Sequence, residues 1–158
     1  MVADYLPDHA KQVARPFAYF YTPTMPLHLL RSPWQPGPRA DAQGGPAVIS
    51  VTDFTATTHP QSWSVALAGL RLRRTWPGTP GAIGMWLWTD PARRRSGSVS
   101  VWTDETALKE FVGRPDHLRI VRAHRGRGVL RSALHTTERF DEADAWAYAR
   151  HFITGERP

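Results

Sequence analysis

Residues Gly84–His117 read G-M-W-L-W-T-D-P-A-R-R-R-S-G-S-V-S-V-W-T-D-E-T-A-L-K-E-F-V-G-R-P-D-H. Two strand-like runs, Ile83–Thr89 and Gly97–Thr103, flank a polar turn bounded by Asp90-Pro91 and Ser96-Gly97. Side chains alternate across a strand. Ile83, Met85, Leu87, Val99 and Val101 are therefore expected on one face, and Gly84, Trp86, Trp88, Ser98, Ser100 and Trp102 on the other. The first set is aliphatic core. The second mixes indoles with small polar residues, which suits a pocket wall or a partner surface, because three neighbouring indoles facing water would form an apolar patch that monomers rarely show.

Working outward, Ala47–Phe54 is β-branched and reads as a strand. Thr58-His59-Pro60-Gln61 has the form of a capping box, with Pro60 tolerated in the first turn. The helix it opens should run to about Trp76, with Trp63, Leu67 and Leu70 along its inward stripe and Val65, Ala66 and Leu72 widening it. After the hairpin, Thr103 or Asp104 caps a helix buried through Ala107, Leu108, Phe111 and Val112. Gly113-Arg114-Pro115 interrupts it, and a second piece carries His117, Leu118, Val121 and His124. Val129–Phe140 reads as the last strand, and a helix follows from Asp141 to about Phe152 with Trp146, Ala149 and Ile153 inward. The order is βαββαβ plus a terminal helix. This is an α+β, ferredoxin-like antiparallel sheet with helices on one face. Its other face must also be covered, and a second subunit is the expected cover.

Upstream, residues 1–46 form a Pro-rich arm to the 47–158 domain. Asp8–Arg15 reads as a short helix and Phe17–Tyr21 as an extended run, while Pro23, Pro26, Pro33, Pro36 and Pro38 argue against regular elements. Phe17, Phe20, Leu29, Leu30 and Trp34 are too apolar for a solvated tail, so the arm is expected to lie across the domain or a partner.

Composition narrows the classes. The 158 residues suit one domain with a real core. With 0 Cys there is no thiol nucleophile and no thiolate metal site. No apolar run approaches the ~20 residues that span a bilayer, and no membrane partner is expected. The N-terminus lacks signal-peptide order, so a cytoplasmic location is expected. The net charge of +6 is carried almost wholly by Arg, a bias that composition alone explains, so nucleic acid ranks last among partners. There is no G-x-G-x-x-G, P-loop, H-E-x-x-H or legible Ser–His–Asp context.

Ser98-x-Ser100-x-Trp102, then Asp104-Glu105-x-Ala107-Leu108-x-x-Phe111 and His117, resembles the dimeric α/β-barrel superfamily, above all antibiotic-biosynthesis monooxygenases and spheroidene-monooxygenase-like proteins. The match covers about twenty residues; the element order extends it across Ala47–Phe140. The resemblance implies a homodimer whose sheets enclose substrate cavities, with activities that include cofactor-free oxygenation of polycyclic phenols, haem degradation, and isomerisation or cyclisation. His117 and His124 flank the position of the haem-degrading relatives' iron ligand, out of register with it.

Shared alternation places His135 and Arg131 with the indoles. A neutral His135 could take a proton from a phenol or an acidic C–H, and is equally readable as a hydrogen-bonded strand histidine. His117, just past the helix break, falls at the cavity mouth or on the helix surface. Arg131 could hold an enolate or carboxylate, or snorkel to the sheet edge. Trp86, Trp88 and Trp102 would stack on a flat ligand or form dimer core, with Thr52, Phe54 and Ser100 beside them. The expected function is a cofactor-independent monooxygenase or acid–base cyclase/isomerase of secondary metabolism, acting on an aromatic or polyketide-like molecule. A haem-binding protein and a non-catalytic ligand-binding or dimerisation module are the alternatives.

Overall fold

The computed structural model describes residues 28–155. The expected helix over Asp8–Arg15 and extended run Phe17–Tyr21 lie outside them. Ten-residue β3 (Ala47–Ala56) is the central strand. It pairs antiparallel with β5 (Arg95–Trp102) on one side and β6 (Gly128–Thr137) on the other, and β4 (Ala82–Asp90) pairs with β5. Two short strands of the arm, β1 (Leu30–Arg31) and β2 (Gln35–Pro36), dock on the free edge of β4. The resulting order is β1-β4-β5-β3-β6, the ferredoxin-like arrangement. The described end of the arm lies across the domain and closes one sheet edge.

Helix starts follow local chemistry. The Thr58 hydroxyl accepts from the Gln61 N–H at 3.4 Å and opens α1 (His59–Arg73). The return half of that capping box is not made, because Gln61 Oε1 is buried without a partner. Asp104 caps α2 (Glu105–Val112) through the Ala107 N–H at 2.8 Å, and Pro115 opens α3 (Pro115–His124). Asp141 caps α4 (Glu142–Thr154) through Ala143 and Asp144.

The expected faces of the hairpin are wrong, for a reason of register. Trp86 pairs with Val99, Leu87 with Ser98 and Trp88 with Gly97, so even-numbered residues of β4 share a face with odd-numbered residues of β5. A bulge between Ala82 and Gly84 shifts the start of β4 by one residue. One face therefore carries Ile49, Val51, Trp86, Trp88, Val99 and Val101, packed against Ala145, Ala149 and Ile153 of α4. The other carries Val48, Met85 and Trp102, packed against Trp76, Phe111 and Leu72 of the α1–α3 layer. Trp102, Ser100, Thr52 and Phe54 are thus separated from Trp86 and Trp88 by the thickness of the sheet.

Two further expectations change. The residues assigned to a face covered by a second subunit are covered within the chain: Trp86 and Trp88 by α4, Trp102 by the α1–α3 layer. The stripe Trp63, Leu67 and Leu70 faces water, because α1 turns its small residues Ser62, Ala66 and Gly69 inward; a Cβ on Gly69 would stand 3.6 Å from Leu87. At the hairpin tip, Arg94 adopts a left-handed φ of 55°, Asp90 is fully buried with Arg93 at 2.9 Å, and Arg95 turns inward to Asp53.

Candidate functional site

Where β4, the arm and the start of α4 meet, the α4 face opens into a cleft of about 520 Å³ lined by Arg31, Ser32, Pro33, Trp34, Trp86, Glu142, Ala143 and Trp146. Its floor is Trp86, 3% exposed. Trp34 leans on that ring with centroids 4.3 Å apart, and Trp146 meets it edge-on at 5.9 Å. Gly84 makes this possible: Trp34 lies on its Cα, in space that any Cβ would occupy. The Arg31 guanidinium sits 4.5 Å from the Trp146 ring centre and 5.3 Å from that of Trp86, held by cation–π attraction. On α4, Glu142 accepts a hydrogen bond from Gln43 at 2.8 Å. The cleft thus offers flat apolar walls, one cation and one carboxylate.

Of the residues expected to form the site, Trp86 alone lines this cleft. Trp88 is core: it is 2% exposed and donates its indole N–H to the Thr52 carbonyl at 3.1 Å. Trp102 is fully buried and donates to Ser100 at 2.9 Å. Thr52 and Ser98 bond each other through their hydroxyls at 3.0 Å. The hydroxyls read as ligand contacts are therefore consumed inside the fold. Phe54 lies 6.3 Å from the ring of His124.

His135 and Arg131 do share a face, the α4 side of β6, as alternation requires. His135 stacks on Tyr148 at 4.5 Å and is exposed. Arg131 binds Asp53 through Nε at 3.1 Å and also through its terminal nitrogen, with its guanidinium over Phe152. Both stand three strands from Trp86, roughly 14 Å at ordinary strand spacing. His117 lies under the other face, its ring 5.1 Å from Phe111 and Nδ1 3.1 Å from the Val112 carbonyl. Burial lowers its pKa, against the opposing pull of that carbonyl and of Asp116. His124 is lowered too, by burial and then by Arg127, and its Nδ1 is buried without a partner.

The lining of this cleft contains none of the His, Cys, Met or Tyr side chains that ligate haem iron. No group of three or more metal-ligating side chains occurs among the described residues.

Sequence reasoning missed Arg31, Trp34, Glu142 and the role of Trp146. A signal was present in Trp34: it is an aromatic in a Pro-rich stretch, and Gly84 is a strand glycine awaiting a covering ring.

No protein-family model matches the chain, and no curated protein does. Among solved structures, a proposed monooxygenase of Fusobacterium nucleatum superposes with a TM-score of 0.51 at 10% identity, over 63% of this chain and 45% of its own. SnoaB, a cofactor-independent oxygenase of Streptomyces nogalater, gives 0.47 at 22% identity, over 61% of this chain and 97% of its own. LmHde, a heme-degrading enzyme of Listeria monocytogenes, gives 0.45 at 15% identity, over 58% and 61%. The chain spans less than half the length of the Fusobacterium protein. The likeness establishes the ferredoxin-like fold expected from the sequence.

Proposed function

We propose that the protein is a small-molecule enzyme that binds a planar phenolic substrate in the Trp34–Trp86–Trp146 cleft and oxygenates it without a cofactor. The carrying observation is the joint placement of three indoles, a guanidinium and a carboxylate around one cleft. A flat ring gains stacking from the indoles. Arg31 stabilises a phenolate or enolate oxygen by charge-assisted hydrogen bonds, and Glu142 takes the proton. The role first given to His135 passes to Glu142, because His135 stands on the far side of the sheet's α4 face. The electron-rich carbanion form then reacts with dioxygen. For an anthrone-type substrate, a ring methylene and one dioxygen molecule become a ring carbonyl and one water molecule. Both methylene C–H bonds break and the carbon is oxidised. One oxygen atom becomes the carbonyl, the other leaves as water carrying the two hydrogens, and no reductant is needed. Acid–base cyclisation or isomerisation would use the same two groups without dioxygen.

Homodimerisation belongs to this reading, with a changed surface. The outer edge of β6 has no strand partner among the described residues, and Val129, Leu130 and Leu134 are 66%, 59% and 57% exposed. Light scattering should give twice 17.8 kDa.

Oxygen uptake with an anthrone, together with binding measured by indole quenching, tests the site. Trp146→Ala should weaken binding by about 1–3 kcal/mol, the range for stacking on an aromatic. Arg31→Gln should lower turnover by about 10²–10³-fold, as loss of one oxyanion partner does. His135→Ala should turn over normally. Wild-type rates in both Arg31→Gln and Glu142→Gln, or loss of turnover in His135→Ala, would overturn the assignment.

A further inference from the structure

We infer that the outer ridge of α1 is a docking surface for an anionic lipid bilayer. His59, Trp63, Leu67, Leu70 and Arg74 follow one another at helical spacing and form one stripe along α1. Trp63 is 66% exposed, Leu67 48% and Leu70 49%. An indole and two leucines exposed in line along one helix make a contiguous apolar stripe, which marks an interaction site. The helix carries it because its own contact with the domain is made by Ser62, Ala66, Gly69 and Leu72.

Charge selects the occupant. Between His59 and Arg74 the chain holds Arg71, Arg73 and Arg74 and no carboxylate. The neighbouring α3 and the turn after it add exposed Arg119, Arg122, Arg125 and Arg127, while Asp116, the acid within α3, is already paired with Arg114 at 3.1 Å. An indole and two leucines on a ridge, edged by arginines, match the layers of an anionic membrane surface: acyl chains beneath, phosphates beside. No helix among the described residues is long and apolar enough to cross a membrane, so the contact is peripheral. The sequence carried no sign of it, since the same three residues read as the buried face. Docking by α1 leaves the α4 face, with its aromatic cleft, turned toward water, and the inference stands whatever that cleft binds.

Co-sedimentation of the full chain with phosphatidylcholine vesicles, with and without about one third phosphatidylglycerol, tests it. The wild type should bind the anionic vesicles and release as salt shortens the reach of the arginines. Trp63→Ser/Leu67→Ser should lower partitioning at least about tenfold with an unchanged melting curve, since both side chains are exposed. Leu70→Ser, read separately, should act in the same direction. Arg71→Gln and Arg74→Gln should each cost about fivefold on anionic vesicles and nothing on neutral ones. Absence of vesicle binding, or binding indifferent to the serine variants, would overturn the inference. So would conversion of a dimer to a monomer by those variants, which would make the ridge a contact between copies, or binding to single-stranded DNA without binding to vesicles.

Discussion

The two faces of the sheet share the same strands and are filled differently. On the α4 face the strands supply Trp86, Trp88, Val99 and Val101, while α4 lays Ala145, Ala149 and Ile153 against them and adds the partly buried Trp146, Tyr148 and Phe152. Trp146 from α4 and Trp34 from the arm then bound a cleft over Trp86. On the α1–α3 face the bulk is shared: Trp102 from the strand meets Trp76 at 4.9 Å and Phe111 at 5.0 Å, closing that end. The rest of that face mixes Val48, Met85 and Leu87 with hydroxyls, of which Thr52 and Ser98 bond each other. Aromatic content alone does not open a cleft; what matters is how closely the covering elements pack onto it.

Substitutions can break this contrast. The largest effect is expected at Asp53, whose fully buried carboxylate on the α4 side accepts from Arg95 at 3.1 and 2.6 Å and from Arg131. The Arg95 side chain is 14% exposed, so Asp53→Ala strands a buried cation and should cost about 3–5 kcal/mol in urea unfolding. Arg131→Ala, at a side chain 52% exposed, should cost less than about 1 kcal/mol.

Next comes Gly84→Val. Its Cβ takes the place of the Trp34 ring, and overpacking of this kind costs about 1–3 kcal/mol. Ligand binding in the cleft should fall with it, whereas a change confined to the other face would leave binding intact. A smaller effect sharpens the account of the closed end. Trp102 donates to Ser100, but Trp76 Nε1 is buried without a partner. Trp102→Phe should therefore cost about 1 kcal/mol more than Trp76→Phe by thermal unfolding.

The smallest effect is pH-dependent and belongs to the α1–α3 face. Burial holds both His117 and His124 below the ordinary histidine value in the folded state. The unfolded chain then binds protons first as pH falls. The stability these residues contribute is present above the unfolded pKa of about 6.5 and is lost as pH drops through the lower folded values. Melting temperature should decline from pH 7.5 toward 5, and the decline should shrink in His117→Gln and His124→Gln.

Much of the fold was legible because it rests on local signals. Thr58 caps its helix as read, Asp104 is the cap of the two residues offered, the last helix begins at Asp141 as expected, and the βαββαβ order follows from periodicity. The site was not legible, because strand facing depends on a parity that only pairing fixes. One bulge near Ile83 moved Trp86 and Trp88 to the face opposite Trp102. The α1 stripe misled in part for a related reason: periodicity shows that a helix has an apolar side, and only packing shows that its Ala66 and Leu72 edge meets the sheet while Trp63, Leu67 and Leu70 face water. Arg31 and Trp34 lay in a stretch whose prolines concealed two short pairings.

Those pairings give the cleft its own thermodynamics. The segment bearing Arg31 and Trp34 is fastened to β4 by a handful of backbone bonds, from Ser32 to Leu87, Gly37 to Ile83 and Arg39 to Ala82, each 2.9 Å. Releasing it costs those bonds and the Trp34 contact but leaves the four long strands paired, so its amides exchange with solvent through a local opening well below the free energy of global unfolding. The wall of the cleft is then a separately melting unit. For a ligand held there as proposed, apparent affinity would scale with the fraction of molecules in which the segment is docked, and warming would erode recognition before it erodes the sheet.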